Sequence, residues 1–213
     1  MTLDKPNLDV SFPAAVSSGG GWPLKVDNVH SDAWFPEAFT VQECETIIAL
    51  AESYGFMSGK ISGVEGDEST EDNLSVRDSG VYFLFPSFET VWIFERLAHV
   101  IHTVNDAFFN FDLTGINEGC QIAKYEAPSG HYDWHCDTKL GERVRKLSIS
   151  LQLSDPASYE GGDIELSNGA ATVLPRGQGT VCCFPSWSIH RVNPVTSGVR
   201  YSLVAWVTGP QFR

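Results

Sequence analysis

Leu147, Ser148, Ile149, Ser150, Leu151, Gln152 and Leu153 alternate apolar and polar residues without a break. Successive side chains of a strand point to opposite faces, so this period of two predicts a strand with one face in an apolar core. The pattern continues toward the C-terminus. Gly161 and Gly162 turn the chain into a short strand carrying Ile164 and Leu166, and Asn168 with Gly169 is a hairpin signal. Further strands are expected over Ala171 to Leu174, Thr180 to Phe184 and Arg200 to Val207.

The N-terminal half reads differently. Thr40 and Glu43 form a capping-box signature. Cys44, Ile47, Ile48 and Ala51 then recur at helical spacing until Gly55 supplies a stop. Val76 to Phe85 is a strand candidate. Ser87 is expected to cap a second helix, with Phe94, Leu97, Ala98, Ile101 and Val104 as its apolar stripe. His99 and His102 ride on that helix as ordinary surface or core groups. Helices followed by many short strands predict an α+β, mainly β fold. The specific expectation is a double-stranded β-helix (jelly roll) with N-terminal helices covering one sheet.

Residues 1–30 read as an irregular arm, with a flexible joint from Ser17 to Gly21 and with Trp22 and Trp34 pinning it to the body. Residues 31–213 read as a single domain, and 213 residues suffice for a sizeable core. Residues 57–74 are rich in Gly, Ser, Asp and Glu. Such a stretch is a surface loop that can serve as a lid over a site.

Asp and Glu number 27 against 14 Lys and Arg, for a formal net charge of −13. That surface repels phosphate backbones and argues against a nucleic-acid partner. No apolar run reaches membrane-spanning length, and the start, Met1 to Lys5, lacks a signal-peptide pattern. The five Cys are scattered and odd in number, without CxxC, which predicts reduced thiols and a cytoplasmic protein.

Upstream of the alternating strand, the run from Tyr125 to Asp137 holds His131, Asp133, His135 and Asp137. On a regular strand these four share one face, with Tyr132, Trp134 and Cys136 on the other. Either His131 with Asp133 or His135 with Asp137 could supply two ligands of a 2-His-1-carboxylate triad for Fe(II). The second pair is favoured because it lies nearer the following loop, at the strand end. His190 is the remaining His of the C-terminal half and becomes the third ligand. Arg200 lies ten residues further on, with Ser202 on the same face. Its planar guanidinium suits bidentate capture of a carboxylate.

Taken as a set, His-x-Asp, a distant His and Arg-x-Ser resemble the Fe(II)/2-oxoglutarate-dependent dioxygenases. Within them the resemblance is to the prolyl 4-hydroxylase-like enzymes of bacterial and phage type. The matching residues are Tyr125, Gly130, Tyr132, His135 and Asp137, then Tyr159, Gly161, Gly162 and Asp163. Phe184, Pro185 and Ser186 leading to His190, and Pro194 through Trp206, match as well. Val76 to Gly80 looks like that family's first core strand.

The resemblance spans about residues 30–210 and implies roles. His135, Asp137 and His190 would hold Fe(II). Arg200 and Ser202 would bind the distal carboxylate of 2-oxoglutarate, with Tyr125 hydrogen-bonded to the same cosubstrate. Tyr132, Arg77, Ser79 and Trp206 would lie near the substrate, a proline-containing peptide or protein. O2 would be the oxidant and ascorbate a reductant.

Two departures stand out. The segment from Tyr125 to His135 is one residue longer than in typical members. Arg200 stands where the collagen-modifying enzymes often have Lys. Three rivals remain. Nucleic-acid demethylases of the superfamily usually carry a second Arg where Trp206 stands here. A cupin-like metal-binding module has no need of Arg200 at a fixed distance from His190. The same chemistry on a free amino acid or metabolite is the third, since substrate pockets are built on loops.

Overall fold

Helix α1, Val41–Tyr54, begins where the capping box places it. The Thr40 hydroxyl accepts from the Glu43 N–H at 3.2 Å, and the Glu43 carboxylate accepts from the Thr40 N–H at 2.8 Å. Two otherwise unpaired donors are thereby satisfied. The helix stops at Gly55, with φ at +81°. These elements come from a computed structural model that describes residues 30–59, 74–138, 144–167 and 169–211. The joint at Ser17 to Gly21, Trp22, most of the expected lid and Asn168 lie outside the described residues.

Helix α2, Val91–Val104, starts later than the sequence suggests. The Ser87 carbonyl accepts from the N–H groups of Thr90 and Val91, so Ser87 opens the turn before the helix and does not cap it. The Thr90 hydroxyl donates to the Phe85 carbonyl at 2.8 Å and accepts from the Ser87 N–H. Side-chain bonds of this kind hold a turn against helix formation. The buried stripe is Ile93, Leu97, Val100, Ile101 and Val104. Ala98, expected inside, is exposed, as are His99 and His102. A π-helical turn, Asn105–Phe109, continues from α2.

The strands are β1 Ala33–Phe35, β2 Met57–Ser58, β3 Arg77–Asp78, β4 Gly80–Leu84, β5 Gly115–Ile116, β6 Cys120–Glu126 and β7 His131–His135. They continue as β8 Arg145–Gln152, β9 Tyr159–Gly161, β10 Ile164–Ser167, β11 Ala171–Val173, β12 Val181–Pro185, β13 Ile189–Val192 and β14 Val195–Thr208. Among the described residues they form two antiparallel sheets. The larger runs β1-β12-β8-β14-β6-β4-β2, with β5 and β9 also on β14, and the smaller runs β11-β10-β13-β7-β3. This is the jelly roll that the strand pattern predicts.

The stretch from Val76 to Phe85 is two strands. The chain leaves the smaller sheet after β3, which pairs with β7, and enters the larger one at β4, which pairs with β6. Ser79 sits at that crossing. Likewise residues 57–74 do not begin as a loop, because Met57 and Ser58 pair with β4.

Two apolar clusters follow from the strand alternation. One joins Cys44, Ile47, Ala51, Ile93 and Leu97 of the helices to Leu147, Ile149, Leu151, Leu203 and Ala205 of the larger sheet. The other joins Ala123, Tyr125 and Phe184 of the larger sheet to Ile164, Leu166 and Val192 of the smaller one. Between the sheets the alternating strand shows its second face. Ser148, Ser150 and Gln152 are all buried and do not face solvent. All five Cys are unpaired, and no helix among the described residues is long and apolar enough to cross a membrane.

Candidate active site

Strand β7 carries the site, and it is not a regular strand. Its pairing with β13 matches His135 to His190 and Tyr132 to Val192. Between these pairs, Asp133 and Trp134 face the single residue Arg191, which is a β-bulge. The bulge breaks the expected alternation. Tyr132 and His135, three apart, turn the same way and stack with ring centroids 3.5 Å apart and planes 15° from parallel. Trp134 turns outward, with the Arg191 guanidinium 4.5 Å from its ring centroid. The expectation that Tyr132 opposes His135 is therefore corrected.

His135, Asp137 and His190 come together, with one ligand atom from each lying within 4.8 Å of the others. Asp137 Oδ1 is 3.9 Å from His135 Nε2, and its Oδ2 is 3.6 Å from His190 Nε2. The other pair weighed from the sequence is elsewhere engaged. His131 Nδ1 lies 2.7 Å from the Ser129 carbonyl and its Nε2 lies 3.2 Å from the Ser75 carbonyl.

The two clustered imidazoles are held in one tautomer. His135 Nδ1 is 2.8 Å from the Asp133 carbonyl, and His190 Nδ1 is 2.9 Å from the Ser188 carbonyl. A carbonyl can only accept, so Nδ1 carries the hydrogen in both rings. The Nε2 lone pairs are left free to face the carboxylate cluster, as metal-ligating histidines require. Burial pushes the His135 pKa down to about 4, the nearby His190 adds to this, and Asp137 opposes it. For Asp137, burial works to raise the pKa. His190, His135, the hydrogen bond from Ser148 and the nearby Trp206 indole outweigh it and hold the carboxyl below its usual range. At neutral pH the His135 imidazole is neutral and Asp137 is a carboxylate, and with the His190 imidazole they make up the two-His, one-carboxylate donor set that suits Fe(II) with open positions.

Asp137 is fixed from several sides. Its Oδ2 accepts from the Ser148 hydroxyl at 2.6 Å, which lies 3.0 Å from the Ser186 hydroxyl. Its N–H donates to the Ser186 carbonyl at 2.9 Å. These contacts tie the segment after β7 to β8 and to the turn that leads to His190.

A cavity of about 510 Å³ opens on this cluster. Tyr125, Tyr132, Arg77, Ser202 and Trp206 line it together with the three clustered residues. Two predicted site residues sit behind the wall. Ser79 accepts from Arg77 Nε at 2.8 Å. Arg200, 1% exposed, donates from Nη2 to Gln152 Oε1 at 2.8 Å and from Nη1 to Ser202 Oγ at 3.4 Å. No described carboxylate lies within ion-pair distance of Arg200. A buried cation without a counter-ion is costly and calls for an anionic ligand.

Gly162 makes room for that side chain. A Cβ there would lie 2.8 Å from Arg200 Cδ, and its φ of +66° favours glycine. Arg77 lies over Tyr132, its Cζ 4.6 Å from the ring centroid, while its buried Nη2 has no partner.

Sequence reasoning missed Gln152, Ser148 and Ser186, and also Arg145 and Glu118 on the cavity wall. One signal was available. The polar face of β8 is Ser, Ser and Gln, whereas a solvated strand face ordinarily carries charge.

Comparison with known proteins agrees with this geometry. Residues 120–208 match the family model of the 2OG-Fe(II) oxygenase superfamily. A PKHD-type hydroxylase of Synechococcus sp. (strain CC9902) is 40% identical over 90 residues, covering 40% of this chain and 39% of that protein. The chain thus aligns with well under half of the length of that curated relative. Among solved structures, a Pseudomonas putida prolyl-4-hydroxylase superposes with a TM-score of 0.67 at 16% identity, covering 85% of this chain and 94% of its own. A Trichoplax adhaerens prolyl hydroxylase, in complex with a hypoxia inducible factor oxygen degradation domain peptide fragment, gives 0.67 at 16%, covering 84% and 83%. At such identities the structures establish the fold. Fe(II), 2-oxoglutarate and O2 are the reactants of the matched superfamily, and the His-Asp-His cluster fits the metal. Residues 120–208, which carry His135, Asp137, His190 and the buried Arg200, match the 2OG-Fe(II) oxygenase superfamily, and the chain folds as a jelly roll like that of the solved prolyl hydroxylases.

Proposed function

We propose that the chain hydroxylates a prolyl residue in a peptide or protein, with His135, Asp137 and His190 as ligands of Fe(II). The bound metal would supply O2 activation coupled to decarboxylation of 2-oxoglutarate. One oxygen atom would enter the product C–H bond and the other would enter succinate, with release of CO2.

The chain's own residues bind and orient. Arg200 pairs with the distal carboxylate of 2-oxoglutarate, and Ser202 and Tyr125 hydrogen-bond the same molecule. The observation that carries this reading is the buried Arg200, which has no described carboxylate partner and lies behind Ser202 in the wall of the cavity that holds the His-Asp-His cluster. A cation placed so needs a small dianion that can also reach the metal.

The substrate reading draws on other walls of the same cavity. Tyr132 and Trp206 supply aromatic walls that suit a pyrrolidine ring. The unpartnered Nη2 of Arg77, braced by Ser79, suits a peptide carbonyl. A proline-rich peptide is already stiff and loses little entropy on capture. Trp206 in place of a second arginine, and the charge of −13, favour a peptide over nucleic acid. Five unpaired Cys support a reducing, cytoplasmic setting. Arg77 Nη2 would also suit a free carboxylate, which keeps hydroxylation of a free amino acid as a second reading.

Purified protein with Fe(II), 2-oxoglutarate and proline-rich peptides should form succinate and a peptide one oxygen heavier on proline. Free L-proline should give little of either. Hydroxylation of a free amino acid, with no product on any proline-containing peptide, would replace the peptide reading by the second. No succinate with any substrate would remove both.

A further inference from the structure

Arg145 stands at a junction that the proposed chemistry does not use. It opens β8, and its fork grips the Glu118 carboxylate through Nε, at 2.8 Å, and through Nη2. Its third nitrogen, Nη1, donates to the backbone carbonyl of Asp137 at 3.3 Å. The flat guanidinium lies 3.9 Å from the centroid of the Trp206 ring. Three separate pieces of chain, the link before β6, the ligand loop and β14, therefore meet on one side chain.

The Trp206 end matters because the indole N–H is buried and makes no hydrogen bond of good geometry. The ring lines the same cavity as Asp137. The guanidinium over its face opposes tilting of that ring into the site. Arg145 thus bears on Asp137 twice, through its main-chain oxygen and through Trp206. The pairing with Glu118 has its own logic. An uncompensated guanidinium beside a divalent metal repels it, whereas a bidentate carboxylate cancels the charge and leaves the planar fork in place.

We propose that Arg145, neutralised by Glu118, is a positioning residue for the metal ligand Asp137. The inference rests on the reading of His135, Asp137 and His190 as a metal site. It adds that the affinity and geometry of that site depend on a pair that touches neither metal nor its ligand atoms.

The test is Mn(II) affinity, measured by calorimetry, and the visible spectrum of the Co(II)-loaded protein, with the melting curve of the metal-free protein recorded alongside. Arg145→Met keeps the stem and removes the fork. It should weaken Mn(II) binding by about 10- to 100-fold, the range for partners that orient metal ligands, and alter the Co(II) bands. Arg145→Lys keeps the charge without the planar stack and should recover only part of the loss. Glu118→Gln should weaken Mn(II) by leaving a bare cation nearby. Glu118→Gln with Arg145→Met should be no worse than Arg145→Met alone, since the two act as a unit.

Unchanged Mn(II) affinity and Co(II) spectrum in folded Arg145→Met would overturn the proposal. If that variant does not fold, Glu118→Gln and Arg145→Lys decide it by the same two readouts. Parent protein that binds no Mn(II) would instead remove the metal site itself, and the positioning role with it.

Discussion

The larger sheet presents two faces made by the same strands. On the helix side β8 places Leu147, Ile149 and Leu151, and β14 places Leu203, Ala205 and Val207. On the other side β8 places Ser148, Ser150 and Gln152, and β14 places Arg200, Ser202 and Trp206. Both faces are equally removed from water. The first is held by apolar contact and needs no partner of particular shape. The second is polar, and its groups are partnered mainly with one another, Ser148 with Asp137 and Arg200 with Gln152 and Ser202. Polar groups buried in this way add little net stability, yet leaving one unpaired is costly. A sheet that accepts that constraint on one face is built to hold a polar guest there.

The comparison breaks most openly at the ligands. Asp137→Ala should abolish metal binding and turnover outright, read by Mn(II) calorimetry and succinate formation, while the far-ultraviolet circular dichroism stays that of a folded protein. Loss of the fold would mean that the polar face also carries the structure.

The opposite face should respond the other way. Leu151→Ala removes a fully buried side chain and should cost about 2–5 kcal/mol in denaturant-measured stability. The Michaelis constant for 2-oxoglutarate at a temperature where the variant is folded should stay unchanged. A raised constant would show that the faces are mechanically coupled.

Arg200→Met probes the polar face alone. The affinity for 2-oxoglutarate should fall by about 2–5 kcal/mol, the cost of removing one partner of a buried charge pair. Stability of the metal-free protein should change by no more than about 1 kcal/mol, because a buried charge is removed as well as its bond to Gln152. Unaltered cosubstrate affinity would take Arg200 out of the site.

Gly162→Ala should act on the same group from behind. The left-handed backbone costs a side chain about 1–2 kcal/mol, and the new Cβ meets Arg200 Cδ. Both stability and 2-oxoglutarate affinity should fall modestly, by equilibrium unfolding and calorimetry. A fall in stability alone would mean that Arg200 yields without cost.

The sequence made one face of this sheet far more legible than the other. Leu147 to Leu153 announces a strand by period alone, and the capping box of α1 announces its own first turn, because both depend on residues close in the chain. The meeting of His135, Asp137 and His190 was readable because few structures need those groups at those spacings. The inner face hides its partners. Gln152 meets Arg200 across β8 and β14, forty-eight residues apart, so no local pattern joins them. The bulge in β7 is hidden for the same reason. It exists through pairing with β13, and from the sequence alone His131 to Asp137 reads as unbroken alternation. Ser87 shows the reverse error, a good local cap overruled by the Thr90 hydroxyl bonding back to Phe85.

The smallest effect should come at His131, and it tests that bulge. On an unbroken strand His131 would share the face of His135 and could compete for the metal. In the bulged strand it lies outside the His-Asp-His cluster, and its ring nitrogens face two carbonyls, those of Ser129 and Ser75. Its cross-strand partner on β3 is Asp78, next to Arg77, so its work is to fasten β7 to the strand that carries Arg77. His131→Ala should therefore cost about 1 kcal/mol of stability, the usual worth of one or two partly exposed hydrogen bonds. Mn(II) affinity should stay within about twofold of the parent, well short of the 10-fold or greater loss seen when a metal site loses even an orienting partner. Loosening β3 can still move Arg77 slightly, so a small rise in the substrate Michaelis constant is compatible with this role. A loss of metal on His131→Ala, with metal retained on His135→Ala, would mean that the strand runs unbulged in solution and that the ligand pair is His131 with Asp133.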